Sequence, residues 1–444
     1  MPDDPIQLLK EYLKNDLPFY MDLIRGDNPS AFTRDRLISV NDLISQMLNR
    51  KNRTQFSEVM DYYDSMNKKM PVTEKAFFLA RRKFNPEAVR VMSNEYISRI
   101  YDNYDESLNK WNGLIILGID GTKFLVPNTR ENKDRFGVQI GNTENEPAMA
   151  LLSTLHDSLN NLKLDVLVDK ITGSEKALAA RHIDHYCDNY TQPALFLFDR
   201  GYVSIRLIDQ IINRKQYFLM RAKASDYKKH FEQVKIGEVK ELEVTFDRAN
   251  TNDYRNDRQF RIHLLNTTYR LRFAKVVIGS DEDGNEVVEQ LITNLPEENA
   301  SADQLKEAYW MRWPSETSYN RLKNRMTMEE FSGYKPELIL QDIYADAWIY
   351  NLVSLKIKEA DEKKPLEQKN GKYTVSRNFN KSVGVIRTYL LKALMTDDDQ
   401  ERNKLMDRID DTITSSLNWV KNGTRKFDRK DPVNKSAMSY RKAY

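Results

Sequence analysis

The sequence predicts an α/β protein that has a mixed sheet, an all-β insertion, and helical regions at both ends. Three observations predict this class. Helical periodicity runs through the first 105 residues, buried apolar strands alternate with helices after residue 112, and short strand-like segments separated by turns fill residues 225–297. A chain of 444 residues is long enough for more than one domain and a large core.

The composition is that of a globular protein in a reducing compartment. Apolar residues make up 40% and charged residues 30%, and no apolar run is long enough to span a membrane. The amino terminus is acidic and amphipathic, which is unlike a signal peptide. The single cysteine, Cys187, excludes an internal disulfide, and with five scattered histidines it argues against a zinc site. We therefore expect a cytoplasmic protein without a membrane partner.

The first 105 residues are predicted to form a small helical bundle. Asp4 can cap a first helix that carries Pro5 in its first turn, and Thr33 can cap the next helix. Two later helices are expected to begin after caps at Thr73 and Asn85. Spacing alone favours a bundle with a solvated basic corner over a helix-turn-helix module on DNA. The cations at that corner are Arg81, Arg82 and Lys83.

Five buried strands are predicted in the α/β region. They cover residues 113–119, 148–155, 162–168, 194–198 and 217–222. A helix capped by Ser174 is expected to reach about Cys187, and a second is expected from Val203 to Asn213. Two strands before an alternation of strand and helix indicate a mixed sheet.

An all-β insertion is predicted to follow, and helices return near Ser301. The insertion contains the segments VKELEVTF, FRIHLL, YRLRFAKVVIG and VVEQLITNL, with an Asp-Gly hairpin signal before the last. Residues 359–376 are predicted to form a polar linker, and a basic tail with eight Lys or Arg and two Asp begins at Asn418. The predicted boundaries are 1–105 for the amino-terminal region, 106–224 and 298–358 for the core, 225–297 for the insertion and 359–444 for the carboxy-terminal region.

Three acids stand where a fold could bring them together. Asp120 ends the first strand of the α/β region, Asp199 ends the fourth, and Glu316 lies on a predicted helix. Mg²⁺ prefers oxygen ligands, and a pair of such ions can activate a water or hydroxyl and stabilise the leaving oxygen of a phosphodiester. Each acid alone fits a turn, a local ion pair or a first helical turn, but two strand-ending acids in one domain favour a shared site. Gly121 and Gly201 would let a phosphate backbone approach closely.

Glu316 shares one predicted helical face with Tyr309, Arg312 and Lys323, which lie at intervals of three, four and seven residues. An acid flanked by cations on one face suits a phosphate chain, because the acid can hold metal while the cations hold phosphates. An ordinary solvated charged face is the alternative. Pro314 is expected to kink or restart the helix, so the shared face is approximate.

These residues resemble the DDE transposases of bacterial insertion sequences, in the family whose third acid lies in a Tyr-Arg-Glu-Lys signature (the insertion-sequence-four type). The four side chains of the helical face match the spacing of that signature, and the segments IDGT and DRGY resemble the motifs of the first and second acids. MEEFSGY at residues 328–334 and TRKFDRK at residues 424–430 are also similar to the family. The matched motifs cover residues 113–333.

The resemblance implies a ribonuclease-H-like catalytic core with a β-strand insertion between the second acid and the helix. It implies that Asp120, Asp199 and Glu316 are catalytic and bind two Mg²⁺ ions, for which Mn²⁺ can substitute. The implied reactions are metal-dependent cleavage at the transposon ends and attack of the freed 3′ hydroxyl on target DNA. The side chains expected to contact DNA are Tyr309, Arg312, Lys323 and Arg200 near the cut, and Arg81, Arg82 and Lys83 in a terminal-repeat-binding region.

The partners that the resemblance implies are double-stranded DNA and a second copy of the chain. The DNA would be the terminal inverted repeats and the target, and the homodimer would assemble on it. The expected location is the bacterial cytoplasm, in association with the nucleoid. Some relatives hold a flipped base on a tryptophan of the insertion, but none of the five Trp lies in this insertion. A hairpin pathway would need another stacking surface, such as Tyr254 or Tyr269.

Two other functions remain open at this stage. A DNA-binding protein of transposase descent that no longer cuts is the first, although the presence of all three acids counts against it. A hydrolase such as a glycosidase, with two acids flanking a sugar bond, is the second. The glycosidase would not need Arg312 and Lys323 beside the acid. Only DNA binding should weaken steeply with salt.

Overall fold

An eight-stranded mixed sheet forms the centre of the protein. The structure is a computed structural model that describes residues 4–34, 36–139, 146–280, 284–366 and 373–421. The strands of the central sheet are β1 Ile115–Leu125, β2 Met149–Asp157, β3 Leu162–Lys170, β4 Ala194–Phe198, β5 Tyr217–Ala222, β6 Val239–Val244, β7 Tyr269–Ser280 and β8 Glu286–Thr293.

The strand order across the sheet is β3-β2-β1-β4-β5-β8-β7-β6. Strands β1, β4 and β5 are parallel, whereas β2 is antiparallel to both of its neighbours. The predicted α/β class with a mixed sheet is therefore confirmed, and β1 to β5 form its ribonuclease-H-like core.

The central strands are apolar on both faces. Alternate residues of β1 enter separate hydrophobic clusters, with Ile115 and Leu117 in one and Ile116 in the other. On the neighbouring strand β4, Leu195 joins Ile116, and Phe196 joins the first cluster. Burial on both faces explains why these strands are continuous apolar runs in the sequence.

The amino-terminal helices begin mostly where the sequence predicts. Asp4, Thr73 and Asn85 each cap a helix as expected. The prediction for Thr33 is wrong, because Ser39 caps the helix through a reciprocal capping box, which satisfies more of its free amides. The helices of this region are α1 Pro5–Asn15, α2 Met21–Arg25, α3 Val40–Leu48, α4 Gln55–Ser65, α5 Glu74–Arg81 and α6 Pro86–Asn103.

The helices of the middle region surround the sheet. Ser174 caps its predicted helix, and the break that Pro314 predicts is present, since one helix ends at Trp310 and the next begins at Trp313. These helices are α7 Arg130–Phe136, α8 Glu175–Asn189, α9 Ile205–Asn213, α10 Lys228–Phe231, α11 Arg258–Asn266, α12 Ala302–Trp310, α13 Trp313–Asn320 and α14 Pro336–Lys363.

The insertion is not all-β as predicted. The segment FRIHLL lies in helix α11, and α10 is also helical. Asp257 caps α11 by accepting the amide of Phe260, and Leu264 is the residue this helix buries, so a helical contact decides the segment. The three strands of the insertion continue the core sheet through β5 and β8. The predicted Asp-Gly turn falls mostly outside the described residues, although Gly284 has a positive φ of 83°.

The predicted polar linker is also wrong at both of its ends. Helix α14 continues to Lys363, and strand β9 Tyr373–Arg377 begins inside the segment. The chain then forms α15 Phe379–Met395, α16 Asp399–Ser415 and β10 Leu417–Lys421, with β10 antiparallel to β9. The basic tail beyond β10 lies outside the described residues.

The amino-terminal helices and the sheet share one hydrophobic cluster, to which α1, α6, β1 and α14 all contribute. The division of the chain at residues 105, 224, 297 and 358 accordingly stays a prediction. Among the described helices, none is long and apolar enough to cross a membrane.

Candidate active site

Two of the three acids lie at adjacent positions of the two neighbouring central strands β1 and β4. The parallel register of β1 and β4 pairs Gly118 with Leu197, and Asp120 and Asp199 each follow two residues later. Neighbouring strands are about 4.8 Å apart, so this register brings the two acids to adjacent positions. Strand β4 ends at Phe198, which leaves Asp199 free of the sheet ladder. The prediction that Asp120 also ends its strand is wrong, because β1 continues to Leu125 through its antiparallel pairing with β2.

Helix α13 carries Glu316 across the middle of β1. Gly118 makes this approach possible, because a Cβ at that position would lie 2.0 Å from the Oγ of Ser315. One helical turn beyond Ser315, the Tyr319 hydroxyl donates to the carbonyl oxygen of Asp120. The helix is therefore fixed to β1 by close packing and by a hydrogen bond, and Glu316 lies between these two contacts along α13.

Arg312 links the acids electrostatically. Its Nη2 donates to Oε1 of Glu316 over 2.8 Å, and the guanidinium is nearly buried. The positive charge lowers the pKa of Asp120, and Asp199 and Glu316 in turn help to raise the pKa of Arg312. All three acids thus act on one guanidinium group.

Asp120 has an unusually high affinity for a proton. Its pKa is raised to about 6, with burial as the largest cause, and the charges of Glu316 and Glu175 contribute to this rise. The amide of Gly121, which donates to Oδ1 over 2.9 Å, and the charge of Arg312 oppose this rise. A carboxylate held among other carboxylates indicates a site where added positive charge would be stabilising.

Asp199 is contacted by two groups from neighbouring elements. The Tyr309 hydroxyl lies 3.4 Å from its Oδ1, and Nη1 of Arg221 lies 3.6 Å from the same atom. The parallel register of β4 and β5 pairs Phe198 with Met220, which brings Arg221 level with Asp199. The sequence analysis missed Arg221. A charged residue near the end of an apolar strand was the pattern that identified Asp199, and Arg221 near the end of β5 shows the same pattern.

Arg200 is paired within the protein. Its Nη2 lies 2.9 Å from Oε2 of Glu289, a buried acid that also pairs with Arg221. The Arg200 side chain remains about half exposed, at 47%, so it could still reach a phosphate. Glu289 therefore holds two cations beside Asp199.

Lys323 lies on a π-helical turn, Arg321–Arg325, that follows α13. Its Nζ donates to Oγ1 of Thr122 over 2.7 Å and to the carbonyl oxygen of Lys123. The wider π turn changes the rotation of the helix, so the predicted single helical face is only partly retained. Lys323 still reaches β1 immediately beyond Asp120.

A second lysine, Lys163 on β3, supports α13 from the interior and was also missed by the sequence analysis. It is fully buried, and its Nζ donates to Oγ of Ser318 over 2.9 Å. Burial lowers the pKa of Lys163 to about 7, and the charge of Asp120 opposes that change. The ammonium also lies over the rings of Tyr319 and Tyr350. An alternating strand pattern gives no sign that a lysine will face inwards.

The amino-terminal cations differ from one another in exposure. The prediction that Arg81 contacts DNA is wrong, because its guanidinium is fully buried and bound to Asp342, Ser332 and Gln341. Arg82 and Lys83 are exposed and remain available.

The two proposed stacking tyrosines already contact other side chains, in the insertion and on α9. Tyr269 is buried and donates to Oδ1 of Asp209 over 2.8 Å, so its ring is not a free surface. The ring of Tyr254 packs edge-on against Phe260 and lies near the guanidinium of Arg206.

The donors at the site fit a divalent cation. Asp120, Asp199 and Glu316 supply only carboxylate oxygens, which hard cations such as Mg²⁺ prefer. The carboxylate oxygens of the three acids do not all lie within 4.8 Å of one another. The positive charge of Arg312 interacts with all three carboxylates.

A second acidic group is already neutralised. Among the described residues, Asp4, Glu359 and Asp410 place carboxylate oxygens within 4.8 Å of one another. The buried ammonium of Lys356 pairs with all three of these acids, so the group binds a lysine rather than a metal.

Comparison with known proteins identifies the family. The family described as "Transposase DDE domain" matches residues 111–352, which is more than half of the chain and includes all three acids. The protein is 24% identical over 328 residues to "Transposase InsG for insertion sequence element IS4" of Escherichia coli, covering 72% of this chain and 68% of that protein. It is 37% identical over 60 residues to "Transposase for insertion sequence element IS421" of Escherichia coli, covering 14% of this chain and 15% of that protein.

A solved structure is also similar. It is described as "Cryo-EM structure of piggyBac transposase synaptic complex with hairpin DNA", and the likeness has a TM-score of 0.44 at 12% identity. It covers 96% of this chain and 87% of that chain. On the extent of the family match, with the resemblance of its motifs confirmed, the chain belongs to the transposase DDE domain family.

Proposed function

We propose that the protein is a DNA transposase that cuts at the ends of its element and joins them to target DNA. The observation that carries this proposal is the position of Asp120 on β1 and Asp199 just after β4 at adjacent places of two neighbouring strands, with Glu316 brought to β1 by α13. A glycosidase would also use acids, but it would not need the surrounding cations Arg312 and Arg221. Those cations suit the charge of a phosphodiester.

In this proposal, Asp120, Asp199 and Glu316 hold two Mg²⁺ ions, for which Mn²⁺ can substitute. Bound there, the ions supply an activated water or 3′ hydroxyl and stabilise the leaving oxygen. The three carboxylates, on β1, after β4 and on α13, would hold the ions, which their combined negative charge would attract. Family membership and the raised pKa of Asp120 support this assignment.

The neighbouring side chains position the DNA strand. Arg312, held by Glu316, can exchange that ion pair for a phosphate when cations neutralise the acid. Tyr309 and Arg221 bracket Asp199 and can donate to the phosphate on that side. Lys323 can donate to a phosphate beyond β1, and Arg200 extends the basic surface.

The remaining parts of the proposal concern partners and location. The exposed Arg82 and Lys83 would help the amino-terminal helices bind the terminal inverted repeats. A second copy of the chain would join in a homodimer on DNA, in the bacterial cytoplasm at the nucleoid. The alternative is a DNA-binding protein of the same descent that no longer cuts.

The test is a cleavage assay with Asp199→Ala. Linear DNA that includes the sequences flanking the gene on both sides is incubated with protein and Mg²⁺, and a mobility-shift assay measures DNA binding over a range of salt. We expect the wild type to cut, and Asp199→Ala to lose cutting while it still binds DNA. Binding should weaken steeply with salt, because phosphate contacts release counterions.

The control is Asp188→Ala, an exposed acid on α8 that pairs with Arg214. It should cut like the wild type. Cutting by Asp199→Ala at the wild-type rate would exclude the proposed role of that acid. A wild type that binds these DNA ends without cutting would favour the silent alternative.

A further inference from the structure

Two arginines beside Asp199 share one buried acid. Glu289 lies on β8, in the insertion, and is only 2% exposed. Arg221 donates from Nε and Nη2 to its two carboxylate oxygens, and Nη2 of Arg200 lies 3.1 Å and 2.9 Å from the same two oxygens. A buried carboxylate of the insertion thus binds cations from two places in the core, namely β5 and the turn that follows β4.

The bidentate pairing fixes the guanidinium group of Arg221. Two parallel hydrogen bonds hold the plane of the group as well as its position. The remaining nitrogen, Nη1, lies 3.6 Å from Oδ1 of Asp199, which is within ion-pair distance but too long for a hydrogen bond. The Tyr309 hydroxyl interacts with both Arg221 and Asp199. Arg221 is therefore close to Asp199 but is bound by a different acid.

Arg200 has the same partner, although it follows Asp199 directly in the chain. An arginine next to an acid can pair with it locally at the surface. Among the described residues, however, Arg200 pairs with Glu289 and forms no ion pair with Asp199. The carboxylate of Asp199 accordingly stays partly exposed beside two arginines that Glu289 holds.

A buried ion pair that joins two strands is the ordinary explanation. Strands β5 and β8 are antiparallel neighbours, so Glu289 and Arg221 could serve only to bind the insertion to the core. That role needs one arginine, and a buried ion pair is often no more stabilising than apolar residues of similar volume. It does not explain why both arginines beside Asp199 share Glu289, nor why Arg221 stops short of Asp199.

We propose that Glu289 is a positioning residue that holds Arg221 away from Asp199, so that Asp199 stays available to a divalent cation and Arg221 to a phosphate. The inference deepens the proposed function and rests on it, because it assumes that Asp199 binds metal. Without the charge of Glu289, Arg221 would close its ion pair with Asp199, and that pair would compete with the cation for the carboxylate. The insertion thereby acts on the catalytic centre through one side chain of β8.

The test is Mn²⁺ binding by the full-length protein without DNA, measured by titration calorimetry and by the electron paramagnetic resonance signal of free Mn²⁺. Alkaline pH keeps the acids ionised, and physiological salt, where the Debye length is about 8 Å, screens more distant charges. We expect Glu289→Gln to weaken Mn²⁺ binding by about tenfold, as the loss of a residue that orients a metal ligand does. Glutamine keeps the shape of the side chain, and circular dichroism verifies that the variant folds.

A double-mutant cycle with Arg221→Gln separates positioning from a simple effect of charge. In the Arg221→Gln protein, Glu289 keeps Arg200 as its partner, and no arginine at position 221 can close on Asp199. Glu289→Gln should therefore weaken Mn²⁺ binding much less in this background than in the wild type. A loss of equal size in both backgrounds would indicate a through-space effect of charge and would overturn the inference.

Glu241→Gln is the matched control, because it makes the same change to an acid of the same insertion. Glu241 lies on the edge strand β6, where it pairs with Arg272 over 2.9 Å. This variant should keep the Mn²⁺ affinity of the wild type. If Glu289→Gln binds Mn²⁺ as tightly as Glu241→Gln does, Glu289 has no positioning role.

Asp199→Asn separates the inference from the proposed function. If Asp199→Asn weakens Mn²⁺ binding and Glu289→Gln does not, only the role of Glu289 is excluded. If the wild type binds no Mn²⁺, or if Asp199→Asn binds it normally, the metal site of the proposed function fails and the inference fails with it.

Discussion

Asp120 is the acid of the site whose pKa is raised by burial and by neighbouring charges. Burial and two neighbouring acids raise its pKa from 3.8 to about 6, whereas Arg312 and one backbone amide stabilise its charge. The folded protein therefore keeps Asp120 charged near neutral pH at a cost in stability. Such a cost is typical of functional sites, where charges that bind a ligand are held close together without it.

Replacing Asp120 by Asn is expected to stabilise the metal-free protein above pH 6. Between pH 3.8 and about 6 the folded state keeps the Asp120 proton and the unfolded state has lost it, so wild-type stability falls as pH rises through that window. At 1.36 kcal/mol per pKa unit the penalty above pH 6 is at most about 3 kcal/mol. Asparagine does not titrate and avoids it.

Urea denaturation over a pH series in the presence of a chelator measures this effect. The stability difference between Asp120→Asn and the wild type should grow from pH 4 to pH 6 and then stay level. The exposed, ion-paired Asp188, replaced by Asn, should show no such rise. A variant that is less stable than the wild type at neutral pH would contradict the explanation.

At the scale of single elements, the contact between α13 and β1 positions Glu316. The contact depends on the absence of a side chain at Gly118 and on the hydrogen bond from Tyr319 to the Asp120 carbonyl. Lys163 supports the same helix from the sheet through Ser318. The helix is interrupted at Pro314. Tyr309 on α12 contacts Asp199, whereas Glu316 on α13 pairs with Arg312.

Gly118→Ala should displace α13 and impair cutting. The added methyl group would lie 2.0 Å from Oγ of Ser315, and overpacking of this kind costs about 1–3 kcal/mol. Loss of cutting should exceed what the loss of folded protein explains, because Glu316 moves with the helix. Urea denaturation and the cleavage assay measure the two effects.

Removing the clashing oxygen tests the mechanism of that effect. The double variant Gly118→Ala with Ser315→Ala should recover part of both stability and cutting, since the Cβ of residue 315 would be 3.2 Å away. Gly384→Ala, on a helix where nothing lies within 4 Å, is the control and should be neutral or slightly stabilising. Equal effects at positions 118 and 384 would show that the approach of α13 does not depend on Gly118.

At the scale of the whole molecule, buried ion pairs join the amino-terminal helices to α14. Arg50 and Arg81 pair with Asp342, and Arg50 also pairs with Asp346. Arg387 of α15 reaches Asp346 as well. Together with the shared hydrophobic cluster, these contacts predict that the amino-terminal helices and the sheet unfold as one unit.

Arg81→Ala should therefore destabilise the whole protein. Removal of one partner of a buried pair leaves Asp342 only partly compensated, at a cost of about 3–5 kcal/mol. Arg82→Ala, which changes an exposed neighbour, should stay within about 0.5 kcal/mol of the wild type. Chemical denaturation monitored by fluorescence and by circular dichroism should give one transition for each protein. Equal stabilities of the two variants, or a separate early transition, would contradict this account.

The elements with strong local signals were predictable from the sequence. A continuous apolar run such as β4 forms a buried strand, and a capped amphipathic segment such as α6 or α8 forms a helix, whatever its neighbours in the fold. Periodicity and capping residues therefore located these elements. The segment FRIHLL was not predictable in this way. Its short apolar pattern fits a strand or a helix, and the Asp257 cap with the burial of Leu264 decides in favour of α11.

The sequence by itself determined the α/β class, the family motifs and the acid that follows β4, because apolar runs and residue spacing are local properties. It placed Asp120 on β1 but ended that strand five residues too early. Only the tertiary structure decided that Arg81 is buried, that Arg221 lies level with Asp199, and that Lys163 faces inwards and contacts α13. Those facts depend on which strands become neighbours and on which helices cover them. The physical reason is that burial and charge pairing arise between residues that are far apart in the chain. A local sequence pattern therefore cannot predict them until the fold is known.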